Sequence, residues 1–406
     1  MRLTIRFPGP SGPPHPHTPQ PPFPRVGKGG AEAETQRDLS TSSRLTTRLT
    51  SWLTLGLAAA LVGCGPAPRA AEARPGSPAP TPSGPFELYV LDVGTGLAVL
   101  ARGEGFALLY DGGSNDDRKT GPKNRLLAYL EHTLGPSPDE ACRAEQGLPP
   151  PAARASEPVL DLLVLSHPHR DHYALLPDVL RCARVRRFWG SGRASDAKGV
   201  AALEQALAAE PGLARHEPPR SLARGDALTL GPGARAVVLH ADPEARDAND
   251  ASLVVRLDLG GVRVLLPGDA TGGERRAADD GAARAERGSP EARLLERPDE
   301  LRADVLVLGH HGSLTSSRRA FLEAVRPRVA LVSSGPMRYG SVRLPDEAVL
   351  GEVRRVGARV YRTDEGDEAC ASAPRKVGPP ADGGPGGCSA YRVAIEGTDV
   401  RVTPFP

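Results

Sequence analysis

An apolar run, Leu160-Asp161-Leu162-Leu163-Val164-Leu165, stops abruptly in a polar cluster, Ser166-His167-Pro168-His169-Arg170-Asp171-His172. Near-continuous apolar runs of this length form strands buried on both faces. Such a strand demands a sheet covered on both sides, and the end of the strand is where active-site groups gather. The apolar stretches at residues 304–308 and 329–332 repeat the demand. With 46 glycines and 42 prolines in 406 residues, a long coiled coil or a helical bundle is excluded.

The remaining pattern is mixed. Residues 86–93, 96–101 and 106–110 read as short strands separated by glycine-containing turns, and residues 125–134 as a helix. Residues 135–157 read as a loop insertion. Helices are expected at 174–182, 197–209, 318–325 and 347–356. Further strands are expected at 185–189, 227–240, 252–259, 262–266, 358–361 and 391–402. Adjacent hairpins among helices point to sheets covered by helices, an α/β (α+β) arrangement rather than a regular βα alternation. Residues 272–302, charged and alanine-rich, read as a solvated surface excursion because Glu and Asp alternate with Arg.

Five of the ten histidines fall in two motifs. The first has the spacing H-x-H-x-D-H over residues 167–172, and the second is Gly309-His310-His311-Gly312-Ser313. Between them Asp269 follows an apolar strand in Leu265-Leu266-Pro267-Gly268-Asp269-Ala270. Imidazoles and carboxylates are the ligands that suit Zn²⁺ and related divalent ions. His167 and His169 can serve one ion while Asp171 and His172 face a second, and Asp269 can bridge the two. Water activated between such ions attacks as a nucleophile near neutral pH, so the chemistry implied is hydrolysis, with Asp171 orienting the water or accepting its proton.

These motifs, in this order from about residue 86 to residue 402, resemble the metallo-β-lactamase fold superfamily. Finer details are similar to the hydrolase domain of ComEC, the competence DNA-uptake channel protein: Leu91-Asp92-Val93-Gly94-Thr95-Gly96, Tyr110-Asp111-Gly112-Gly113, Asn249-Asp250-Ala251-Ser252-Leu253 and Gly309-His310-His311-Gly312-Ser313. The resemblance implies a four-layer αββα sandwich with a dinuclear site at one edge. It implies metal roles for His167, His169, Asp171, His172, Asp269 and one of the adjacent histidines, with His310 preferred over His311. Thr95 and Leu97 depart from the branch's usual Asp-Val-Gly-Gln-Gly-Asp loop, and Asn249 stands where the wider superfamily carries another histidine. His240 is an alternative ligand in that interval or a hydrogen-bonded structural group. One nitrogen ligand fewer leaves Mn²⁺ as an alternative to Zn²⁺. Asp92 and Asp111 are candidates for orienting ligands or simply for forming turns. Ser313 is a candidate for contacting a substrate oxygen, while Ser316 or Ser317 reads as a cap of the following helix.

The first 63 residues end in a processing signal. Arg44 and Arg48 precede an apolar run over residues 52–62, too short to span a bilayer but suited to a signal-peptide core. Leu61-Val62-Gly63-Cys64 resembles a bacterial lipobox, which makes Cys64 a lipidation site and places the body outside the cytoplasm. The Pro- and His-containing stretch before residue 40 is an odd prelude to such a signal and suggests initiation near Val26. Residues 64–85 have the composition of an extended tether, and residues 86–406 form the hydrolase domain. After Cys64 no apolar stretch reaches 18 residues, so membrane contact is expected through the anchor alone. The other four cysteines allow two disulfides in three pairings; Cys370 with Cys388, closing a Gly/Pro-rich loop, is favoured.

The formal charge is +2, and the basic surplus sits in the leader, so the body lacks the footprint of a tight, sequence-independent nucleic-acid binder. Three functions remain. The leading expectation is a metal-dependent hydrolase of phosphodiesters, nucleic acid or a small molecule. The others are a lactone, β-lactam or thioester hydrolase, and a metal-binding lipoprotein without activity.

Overall fold

The computed structural model describes residues 85–116, 124–139, 142, 158–195, 197–216, 221–276, 283–365 and 389–405. The leader, the tether up to residue 84, and Cys64, Cys370 and Cys388 lie outside these residues. Strands follow the apolar segments: β1 (Phe86–Val90), β2 (Val99–Gly103), β3 (Phe106–Tyr110), β4 (Val159–Leu160), β5 (Leu162–Leu165), β6 (Arg184–Val185), β7 (Arg187–Gly190) and β8 (Ala214–His216). They continue with β9 (Ala227–Gly231), β10 (Ala234–His240), β11 (Val254–Leu259), β12 (Val262–Leu266), β13 (Val305–Val307), β14 (Val329–Val332), β15 (Arg359–Arg362), β16 (Ala390–Glu396) and β17 (Asp399–Phe405).

Two large sheets result. One has the order β17-β16-β1-β2-β3-β5-β7-β8, the other β15-β14-β13-β12-β11-β10-β9, and β4 pairs with β6 in a small third sheet. Alternation along each strand explains the packing. Leu88, Val90, Leu108, Tyr110, Leu162 and Val164 join Val255, Leu257, Val264, Leu266, Val305 and Leu331 in one core between the sheets. The intervening residues Tyr89, Leu100, Leu109, Leu163 and Leu165 pack outward against helices Arg125–Leu134, Leu176–Cys182 and Lys198–Ala209. On the far side Leu265, Leu306, Ala330 and Val332 meet helices Pro290–Leu294, Arg319–Val325 and Glu347–Arg355. Every central strand is therefore buried twice, which is why its sequence is apolar without alternation. This is the expected αββα layering. Tyr110 ties the layers together, its hydroxyl donating to the carbonyls of Leu253 and Leu266 at 2.8 and 3.1 Å.

Three expectations are corrected. Residues 227–240 form a hairpin of β9 and β10, not one strand, because Pro232 lacks an N–H and Gly233 takes a left-handed φ of 68°. Residues 391–402 likewise divide into β16 and β17. Residues 272–302 are not merely a solvated excursion: Leu294 and Leu301 are fully buried and Glu291 is 1% exposed. A disulfide joins Cys142 to Cys182, with their Cα atoms 5.7 Å apart. Among the described residues no helix is long and apolar enough to cross a membrane.

Candidate metal centre

Strand β5 ends at Leu165, and the chain turns through residues 166–169 into the short helix Arg170–Tyr173. Asp111 holds this turn from the end of β3. Its Oδ1 accepts the backbone N–H of Ser166 at 2.7 Å, and its Oδ2 accepts Ser166 Oγ at 2.7 Å and His172 Nδ1 at 2.8 Å. Asp111 adopts a left-handed φ of 58° to do so. The glycine loops are packed directly beneath. A Cβ on Gly96 would lie 2.1 Å from the Gly113 carbonyl oxygen, and one on Gly113 would lie 2.3 Å from the backbone of Asp171 and His172. Only glycine permits that approach. Leu97, which replaces the usual acidic residue of the loop, donates its N–H to the Asp171 carbonyl at 2.9 Å and buries its side chain between the sheets.

Asp269, placed by the end of β12, is the centre of the cluster. Its carboxylate lies 3.8 Å from His167 Nε2, 3.3 Å from His172 Nε2, 3.6 Å from His310 Nε2 and 3.9 Å from His311 Nε2. Two ligand groups form around it: His167, His169 and Asp269, and Asp171, His172 and His311, each with donor atoms within 4.8 Å of one another. The preference for His310 is corrected by this geometry. His311 donates Nδ1–H to the Ser333 carbonyl at 2.9 Å, leaving Nε2 3.4 Å from Asp171 Oδ2. His310 instead pairs Nδ1 with Thr315 Oγ1 at 2.7 Å and forms the outer wall of the cluster. Both histidines have left-handed φ angles, 48° and 52°. Such strain, on the order of 1–3 kcal/mol per residue, persists where the surroundings enforce it and clusters at functional sites.

The carboxylates raise the proton affinity of His172 and His311, so a cation held there displaces protons. Burial holds His167 well below its usual pKa, and it also lowers His310, so both imidazoles are neutral. Against burial, Asp269 and Asp111 hold His172 well above its ordinary value. Burial opposes ionisation of Asp269 and Asp171, yet the histidines around them keep both carboxyls below the usual range. His172 Nε2, His311 Nε2 and Asp269 Oδ1 are buried without a hydrogen-bond partner. Buried polar atoms are otherwise paired, so these three fit divalent ions, for which imidazole and carboxylate are the appropriate donors.

The other candidates have separate places. Asp92 accepts the N–H of Gly94 at 3.0 Å and of Ser389 at 3.3 Å, so it pins a loop outside the cluster. His240 pairs Nε2 with the Asp250 carbonyl at 3.3 Å and is a structural group. Asn249 has a buried Oδ1 with no hydrogen-bond partner and lines a cavity of about 620 Å³ that also takes in His310 and Thr315. Ser313 is buried, its Oγ accepting from Arg275 and Thr315 at 3.3 and 3.0 Å. Neither Ser316 nor Ser317 caps the helix Arg319–Val325. The Glu291 carboxylate does so from a neighbouring helix, accepting the N–H groups of Ser317 and Arg318.

Tyr339 escaped the sequence reading. Its hydroxyl donates to Asp171 Oδ2 at 2.6 Å, and its ring stacks on His311 with centroids 5.8 Å apart. The two partners are 168 residues apart, and an isolated tyrosine between a strand and a helix carries no signal of such a contact.

Comparison with known proteins adds the lineage. Residues 91–335 match the model of the Metallo-beta-lactamase superfamily. ComE operon protein 3 of Bacillus subtilis (strain 168) is 29% identical over 207 residues, which is 51% of this chain and 24% of that protein. Competence protein ComA of Neisseria gonorrhoeae is 39% identical over 119 residues, 29% of this chain and 15% of that protein. The chain thus matches about a quarter or less of the length of these two relatives. The solved metallo-beta-lactamase fold protein YhfI from Bacillus subtilis is 13% identical, with a TM-score of 0.39, covering 69% of this chain and 97% of that one. Because the match runs from the loop after β1 to the loop after β14, through all the clustered histidines and aspartates, the chain belongs to the metallo-beta-lactamase superfamily.

Proposed function

We propose that the protein hydrolyses phosphodiester bonds at a dinuclear centre, outside the cytoplasm and tethered to a membrane through a lipid on Cys64. The carrying observation is Asp269, whose carboxylate lies within 3.9 Å of three imidazoles drawn from the two ligand groups, His167, His172 and His311. His167 and His169 would hold one ion, Asp171, His172 and His311 the other, with Asp269 between them. Zn²⁺ is the expected ion and Mn²⁺ the alternative. Divalent ions in such a site supply activated water at neutral pH and neutralise charge developing on the attacked centre.

The chain's own groups do the rest. Asp171, kept ionised by His311 and His172, orients the water and takes its proton. Tyr339 fixes the Asp171 carboxylate through the 2.6 Å hydrogen bond. His310, neutral and on the cavity wall, faces the substrate. The similarity to competence proteins supports phosphodiesters as the substrate class. The order of basic residues, apolar run and Leu61-Val62-Gly63-Cys64 supports the anchor.

The test is turnover of bis-p-nitrophenyl phosphate, DNA and RNA by the metal-loaded protein beside nitrocefin and a lactone, with Asp171→Ala as control. Phosphodiester turnover that disappears in the control is expected. Turnover of nitrocefin or the lactone without phosphodiester cleavage would overturn the proposal.

A further inference from the structure

The cavity of about 620 Å³ beside His310 has a charge arrangement that the metal centre does not use. Its carboxylates are already engaged. Asp242 pairs with Arg293, and Asp247 accepts the Asp250 N–H at 2.9 Å. Asp250 accepts Thr271 Oγ1 at 2.5 Å. Glu286 accepts the Glu274 N–H at 3.2 Å and pairs with Arg276 at 3.3 Å, and Glu274 itself lies 3.8 Å from Arg276. Two arginines that line the cavity, Arg246 and Arg287, are exposed and make no ion pair or hydrogen bond among the described residues. They come from different segments, the loop after β10 and the turn before helix Pro290–Leu294.

Unengaged guanidinium groups beside neutral polar side chains suit a compact anion, which Arg binds through planar paired donors. A polyanion is a poorer match. Backbone binding along a nucleic acid needs a continuous basic track, whereas this cavity is lined by five carboxylates and three arginines. Its volume falls within the range of small-molecule sites.

From this we infer that Arg246 and Arg287 form a recognition site for a terminal phosphate, so that the centre acts on small phosphorylated molecules or on phosphorylated ends rather than on long internal stretches of nucleic acid. The inference rests on the phosphodiester reading for the reacting bond, but the anion site itself is testable without turnover.

Binding of thymidine 5′-phosphate, thymidine and inorganic phosphate to the metal-loaded full chain would be measured by calorimetry for the wild type, Arg246→Gln and Arg287→Gln. Both positions are exposed, and a thermal melt checks that the variants fold. Each substitution is expected to weaken thymidine 5′-phosphate binding roughly tenfold, to weaken inorganic phosphate in the same direction, and to leave thymidine and metal content unchanged. Unchanged affinity for the phosphate compounds in both variants would overturn the site. So would an equal loss for thymidine. Turnover of a dinucleotide with and without a 5′-phosphate, run alongside, separates the two ideas. Arginine-dependent binding without cleavage of either dinucleotide removes the phosphodiester reading and leaves the anion site standing. Cleavage with no preference for the phosphorylated end, and no arginine dependence of binding, removes the anion site alone.

Discussion

Replacing Asp111 with Asn tests how the fold prepares its metal ligands. The substitution keeps size and tolerates the left-handed φ of 58°, a conformation in which Asn is common. One amide oxygen still accepts the Ser166 N–H, and the amide nitrogen can donate to Ser166 Oγ. At His172 the polarity is reversed. The carboxylate now accepts Nδ1–H at 2.8 Å, whereas an amide N–H requires a bare Nδ1. The imidazole must then carry its proton on Nε2, the atom 3.3 Å from Asp269 Oδ1 that the ligand group presents. Removing the partner that fixes a ligand's tautomer typically costs about 10–100-fold in metal affinity, or roughly 1.4–2.8 kcal/mol at tenfold per 1.4 kcal/mol. Competition with a chromophoric chelator measures that affinity, and a melt without added metal checks that the fold is retained. Affinity within about twofold of wild type, with the variant folded, would refute the claim that Asp111 sets the tautomer of His172.

Other perturbations separate the remaining roles. Tyr339→Phe removes the 2.6 Å hydrogen bond to Asp171 and should lower kcat on bis-p-nitrophenyl phosphate by about tenfold, the equivalent of one hydrogen bond, with metal content unchanged; parallel loss of metal would show a ligand-holding role instead. Burial pushes the Glu291 carboxyl from 4.5 up to about 7, against the N–H groups of Arg318 and Ser317. The folded protein therefore binds a proton more readily than the unfolded chain, and this contribution to stability is full below about pH 4.5 and falls by about 3 kcal/mol as pH rises to 7. Urea unfolding of Glu291→Gln between pH 5 and 7.5 should lack that decline, and an unchanged slope would contradict it. The Cys142–Cys182 disulfide closes a separation of 40 residues, so Cys182→Ser should cost about 2–4 kcal/mol in chemical unfolding, and no loss would mean that the cross-link constrains little.

What could be read from the sequence was what is local in it. Strand β5 and the residues 167–172 are contiguous, so an apolar run and a ligand spacing sufficed, and Asp269 was legible because it follows another such run. The choice between His310 and His311 was not legible. It depends on two consecutive left-handed residues and on the Ser333 carbonyl at the end of β14, which only the assembled sheet brings close. Tyr339 and Glu291 failed for a related reason: each acts on a group far along the chain, and neither lies in a periodic pattern. Residues 272–302 misled because two buried leucines among many charges give almost no amphipathic signal, although Leu294 and Leu301 close the outer core. Favouring Cys370 with Cys388 left Cys142 for Cys182, and that is the bond the fold forms.

The central claim is a centre for two ions in which His311, not His310, completes the second ligand group. Elemental analysis of the purified protein beside His311→Ala and His310→Ala tests it directly. Two ions per chain are expected in the wild type, two in His310→Ala and about one in His311→Ala. Fewer than one ion per wild-type chain, or loss of an ion on substitution of His310 but not His311, would contradict the account.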